Sequence, residues 1–190
     1  QVGGQYIAIT WRGLAYLLLD EPARAAAEFD RLALLNASWP STFDFQARGR
    51  LELGRAREAV ELASACLALE PPRLMRARAL CTLGRALAAS EPGGMDQAEA
   101  ALGEAVSLCD ALGIRPQLAE THLALSEVCM LRGERERALY FARRAEQGFA
   151  SCGMQLHARR AGEQAARSRD LLDLSCETTG EALPKGLRSA

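Results

Sequence analysis

Apolar and small residues recur along most of this chain at steps of three and four, the spacing of one face of an α-helix. The pattern is clearest from Leu118 to Cys152. Leu118, Thr121, His122, Leu125, Ser126 and Cys129 form one stripe, and Ala138, Leu139, Ala142, Ala145 and Phe149 form a second. Arg132-Gly133-Glu134 separates them, so the stretch reads as two antiparallel helices around a Gly-containing turn. Small residues dominate the second stripe and allow a neighbouring helix to approach closely. Such a hairpin cannot cover both of its faces alone, so a chain built on it should contain several.

The same reading predicts six helices upstream: Gln5 to Leu19, Ala23 to Asn36, Phe43 to Leu53, Arg55 to Leu69, Arg73 to Ala89 and Asp96 to Leu112. Asp20-Glu21-Pro22 separates the first two, since proline suits a first helical turn. Ser41 or Thr42 is the expected N-cap of the third. Glu91-Pro92-Gly93-Gly94 makes the longest interruption, and Gly113 ends the sixth helix. A ninth, more polar helix from Gln155 to about Leu172 suits a solubilising terminal cap. Residues 173–190 are polar and rich in helix breakers, which predicts a flexible tail or linker.

The hairpins repeat. Ala25, Ala59, Ala98 and Ala138 stand 34, 39 and 40 residues apart. Four residues on come Phe29, Ala63, Leu102 and Ala142, and three further Leu32, Cys66, Ala105 and Ala145. The small residue of each preceding helix is Gly13, Ala47, Gly84 or Ser126, at 12, 12, 14 and 12 residues from its alanine. A two-residue insertion near Pro92 accounts for the odd value. On these positions the chain resembles the tetratricopeptide repeat family, whose unit is a 34-residue helix–turn–helix. Gly13, Tyr16, Ala25, Phe29, Ala59 and Pro71 fit its motif, whereas Ala47, Arg50 and Ala63 depart from it. The resemblance implies an all-α, right-handed α-solenoid of stacked antiparallel hairpins. About four units are expected, at 5–37, 41–71, 73–113 and 116–152, with a cap at 155–172. The longer units are similar to those in the C-terminal arms of bacterial signalling ATPases and transcription activators.

Composition narrows the function. The formal charge of −1 over 190 residues excludes a general nucleic-acid or membrane magnet. Aromatics are only 5%, so alanine and leucine carry the core. Of the 23 basic residues only Lys185 is lysine, a bias expected of a GC-rich bacterial coding sequence. Six cysteines at 66, 81, 109, 129, 152 and 176 include no CxxC pair, and most fall in apolar stripes. Reduced core thiols in a cytoplasmic protein are therefore expected. No apolar run is long enough to span a membrane. The chain begins with Gln1, as a fragment or processed product would.

No phosphate loop, GxGxxG, HExxH or GxSxG motif is present, so no catalytic residue, cofactor or metal site is expected. His122 reads as a packed ring and His157 as an exposed one. In a stacked array, off-stripe residues of each first helix line the concave side and are the candidate contacts for a protein or peptide partner. These are Trp11, Leu14 and Leu18, then Asp44, Phe45, Arg48 and Glu52. Arg78 and Arg85 follow, then Glu120, Leu123, Glu127 and Met130. Trp11 and Phe45 are the expected anchors, because aromatics carry much of interface energy. From Arg132 to Arg169 nine arginines face four glutamates, and Arg143, Arg144, Arg159 and Arg160 could dock an anionic segment. Few aromatics lie nearby to stack bases, which disfavours nucleic acid. The expectation is a non-enzymatic interaction scaffold within a larger bacterial regulator. Its rivals are an effector-sensing arm, an appendage of an enzyme, and self-association through the exposed first hairpin.

Overall fold

The computed structural model describes residues 2–90 and 92–179, with side chains described for 3–90 and 93–173. The regular elements among them are α1 (Val2–Leu18), α2 (Pro22–Asn36), α3 (Pro40–Glu52), α4 (Ala56–Ala68), α5 (Arg73–Ser90), α6 (Met95–Leu112), α7 (Arg115–Leu131), α8 (Arg135–Ser151) and α9 (Gln155–Thr179). A 3₁₀ turn at Pro92–Gly94 joins α5 to α6. The fold is an all-α helical repeat of the solenoid class.

Helices α1 and α7 begin three residues earlier than expected, at Val2 and Arg115, and α3 and α9 also differ from expectation. The third helix starts at Pro40, because a proline in the first turn serves there as Pro22 does in α2. Trp39 occupies the N-cap position, and Thr42 instead donates its hydroxyl to the Asn36 carbonyl at 2.8 Å. At the other end α9 runs on to Thr179, past the boundary expected for a flexible tail at 173. Residues 180–190 lie outside the described residues.

The chain divides into two compact units, one ending at Gln117 and the other beginning at Leu118. In the first, the hairpins α1/α2, α3/α4 and α5/α6 succeed one another, with α2 packed on α3 and α4 on α5. Its first core gathers Tyr6, Ile9, Ala25, Phe29, Leu32 and Phe45, and Phe29 stacks on Phe45 with ring centroids 5.4 Å apart. A second core joins Leu80 to Ala101 and Ala105. In the second unit α8 packs on α9, and Ser126 of α7 donates to the Ala138 carbonyl of α8 at 2.9 Å. Ala119, Ala145, Phe149, Ala158 and Ala161 form one of its cores.

The helices meet closely because small residues face them. A Cβ on Gly13 would overlap the Phe29 ring, and one on Gly84 would lie 2.6 Å from Leu102 Cγ. The turns inside three of the hairpins, α1/α2, α3/α4 and α7/α8, also share one geometry. Asp20, Gly54 and Gly133, each seven residues after Gly13, Ala47 and Ser126, have φ of 60°, 72° and 76°. The next amide reaches back to close the helix end, from Glu21 to Tyr16 O, Arg55 to Arg50 O and Glu134 to Cys129 O, at 2.9, 2.8 and 2.9 Å. Glycine takes this left-handed conformation freely, and Asp20 takes it at a cost.

Gly13→Ala and Gly84→Ala are each expected to destabilise the chain by about 1–3 kcal/mol through overpacking. Gly103 lies in mid-helix with open space around it, so Gly103→Ala should stabilise by up to ~1 kcal/mol. Urea unfolding of the three variants checks both signs. Equal loss in all three would mean that helix contact distance is not what the glycines set.

Candidate partner-binding site

The candidate site begins with how the first helices of successive hairpins are joined. Tyr6 of α1 hydrogen-bonds Ser41 Oγ and Thr42 Oγ1 of α3 at 2.6 and 3.2 Å. Between α3 and α5 the links are ionic. Arg78 Nη2 meets Asp44 Oδ2 at 2.6 Å, and Arg85 Nη1 donates to Glu52 Oε1 at 3.1 Å. The Arg78 guanidinium also lies over the Phe45 ring, 4.8 Å from its centroid. Helices α1, α3 and α5 thus form a connected row.

These links correct part of the expected contact face. Asp44 is fully buried and Phe45 is 5% exposed, so neither is open to a partner. Both serve instead to join hairpins: Phe45 packs on α2, and Asp44 holds Arg78. Leu14 packs against the first core and Leu123 against that of Phe149. Trp11, at 68%, and Leu18, at 45%, are exposed as expected. Arg48 and Arg85 are half-buried, and Glu52 is exposed.

Burial has an electrostatic consequence here. The Cys66 thiol is buried, and burial pushes its pKa from 9.0 up to about 12. The Asp44 charge adds to that rise and the Arg78 charge opposes it. Arg50 stands where the first hairpin has Tyr16. It bridges Asp30 Oδ1 at 2.9 Å and Glu58 Oε2 at 3.1 Å. Burial works against its charge, and the two carboxylates more than offset this and raise its pKa.

In the second unit Glu120, Glu127 and Met130 are half-buried, and Ser168 Oγ approaches Met130 Sδ at 3.4 Å. His122 is buried and stacks on Phe141 at 5.9 Å. His157, expected to be exposed, is half-buried against Phe149 at 5.2 Å, because α9 packs onto α8 there. Arg144, Arg159 and Arg160 are exposed and Arg143 is half-buried. Arg144 lies over Tyr140, and Arg159 pairs with Glu163 at 3.8 Å. Of the six cysteines, 66, 81, 109 and 129 are buried and outside any disulfide, as is the half-buried Cys152; Cys176 lies outside the described side chains. Among the described residues no group of three or more His, Cys, Asp or Glu could hold a metal ion, and no helix is long and apolar enough to cross a membrane.

No protein-family model and no curated protein matches the chain. Solved structures do. A thermophilic TPR protein of Thermus thermophilus, TTC0263, superposes with a TM-score of 0.61 at 23% identity, over 90% of this chain and 97% of that one. The fold is that of tetratricopeptide-repeat proteins. The TPR-like repeats of a kinesin light chain from Podosopora anserina give 0.56 at 17% identity, over 99% and 97% of the two chains. BtubC (BKLC) from P. vanneervenii gives 0.52 at 15%, over 100% and 96%. The tetratricopeptide-repeat fold accounts for the packing positions: the small Gly13 and Ala25 and the bulky Phe29 are buried in the first hairpin, and Ala59 in the second. It also locates the departures, because Arg50 substitutes an ion-paired clamp for the aromatic at that position.

Phe45→Ala is expected to cost about 3–5 kcal/mol, whereas Trp11→Ala should fall within about 0.5 kcal/mol of the parent. Chemical denaturation of both measures the contrast. For Cys66, the unfolded chain ionises first as pH rises, near 9.0, while the folded thiol holds its proton to about 12. Its contribution to stability is therefore complete below pH 9 and is lost as pH climbs toward 12. Urea midpoints at pH 8 and 10 should converge more closely in Cys66→Ala than in the parent.

Proposed function

We propose that the chain is a non-enzymatic protein-interaction scaffold that binds an extended or helical peptide segment along the row α1–α3–α5. The observation that carries this reading is the half-exposed Glu52–Arg85 pair, which bridges two hairpins with side chains 38% and 29% exposed. A bridge of this kind contributes little to stability in water, and a partner's charges can exchange with its members. Leu18, at the register of Glu52 one hairpin earlier, places an exposed apolar contact on the same row. That sequence of apolar and then charged positions suits a peptide with one apolar anchor and flanking charges.

The tetratricopeptide-repeat fold supports this reading. The longer spacing of the third and fourth units supports placement in the regulatory arm of a larger bacterial, cytoplasmic regulator. An immunoblot of the native product addresses that placement: a band several times the mass of these residues agrees with it, and a band near their own mass excludes it.

The binding reading is tested with peptides selected from a displayed library. Leu18→Ala and Arg85→Ala should each weaken the selected peptide about tenfold, equivalent to ~1.4 kcal/mol. Affinity should also fall as salt screens the charged contacts. Amide shifts mapping outside α1, α3 and α5 would overturn the assignment.

A further inference from the structure

Two half-buried arginines of the first unit differ in how many acids they hold. Arg50 of α3, with its side chain 17% exposed, binds two: Asp30 through Nη2 and Glu58 through Nε. Arg78 of α5, at 23%, meets Asp44 and has no other hydrogen-bond or ion-pair partner among the described residues. A guanidinium carries five N–H donors in a rigid fork and keeps its charge at every working pH. One carboxylate therefore leaves much of the capacity of Arg78 unused. Helix α5 cannot supply a second, since it carries four arginines and no acidic residue.

The surroundings fix how this group is presented. Asp44 is fully buried, so the guanidinium lies on the solvent side of the pair. The Phe45 ring covers one face of it at 4.8 Å. A carboxylate behind and a ring alongside hold the side chain in one orientation before any partner arrives. Ordering a long side chain is one of the costs of association, and here that ordering is already done. The remaining N–H donors suit a second carboxylate, which takes two of them at once. Leu74, one helical turn earlier on the same side of α5, is 45% exposed and places an apolar contact next to the charge.

We propose that Arg78 is the docking point for an acidic side chain of the peptide that lies along α1, α3 and α5, with Leu74 receiving an apolar residue beside that acid. Docking there rests on the row being the binding face, and it sets the sign of the partner's charge at α5. Asp44 and Phe45 act as positioning residues for Arg78 and are not themselves contacts. A small free anion is the poorer occupant, because it gains nothing from Leu74.

The test uses random peptides displayed as internal segments, selected on the full chain. Those enriched should carry Asp or Glu beside an apolar residue. A synthetic copy with both ends capped should bind about tenfold more weakly when that acid is changed to its amide. Removing Arg78 alone would strand the buried Asp44, so the protein variant pairs Asp44→Asn with Arg78→Gln, and circular dichroism checks its helicity. The paired variant should bind the capped peptide about tenfold more weakly and be indifferent to the acid-to-amide change. Leu18→Ala should leave the acid-to-amide loss at its full size. If the paired variant loses helicity, Arg78→Lys keeps the charge beside Asp44 without the fork, and in it the acid-to-amide loss should shrink. Amide shifts on α1, α3 and α5 with no acid-to-amide loss, or with the same loss in parent and variants, would overturn the docking point and leave the row standing. So would affinity that returns only with a free carboxyl terminus. Shifts outside the row, or no selected peptide, would overturn both.

Discussion

The structure rests on complementary volumes between the two helices of each hairpin. Where one helix presents a residue with no side chain, the other supplies a large one: Gly13 receives the Phe29 ring and Gly84 receives Leu102. At the corresponding positions of the second hairpin stand Ala47 and Ala63, both fully buried, and of the fourth Ser126 and Ala142. A deep hollow is thus paired with a bulky group, and a shallow one with a methyl. Interiors at crystal-like density tolerate little departure from such pairing. This is how a chain with few aromatics builds a core, because closely approaching backbones need less side-chain volume between them.

That economy leaves the joints between hairpins to carry more specific chemistry. Asp44, Arg78, Phe45 and Cys66 form one neighbourhood in which a buried carboxylate meets a guanidinium that also covers an aromatic ring. Taking a charged pair out of water is costly unless its geometry is good, so such a joint favours one register over others more than it adds stability. Arg50 does the same at the α2–α3–α4 junction through Asp30 and Glu58. The polar face that remains for a partner is what these joints have not used.

Periodicity made the fold legible, and the same periodicity limited the reading of the site. Apolar stripes at three- and four-residue spacing identified each helix, and the small residues identified the pairings, because both depend on neighbours within about sixteen positions in the chain. Trp11 and Phe45 show where this fails. They share a register and are both aromatic, yet one is 68% exposed and the other 5%. The difference lies wholly in whether another helix stands against them, which no local pattern records. Asp44 was misread for a related reason: a carboxylate reads as a surface group until its guanidinium partner, a whole hairpin further on, is in view. Pro40 was legible in principle, by the logic that placed Pro22.

The shared left-handed turn has a kinetic meaning. Asp20, Gly54 and Gly133 reverse the chain at the same register, and the amide that closes each turn bonds within its own hairpin. Each reversal is thus specified by a few consecutive residues, and the contacts that follow join positions close in sequence. Chains rich in such local contacts search little conformational space before closing, and they fold quickly for their size. Hairpins that close independently can nucleate in any order and then recruit their neighbours, so a lesion in one slows its own closure without blocking that of the rest.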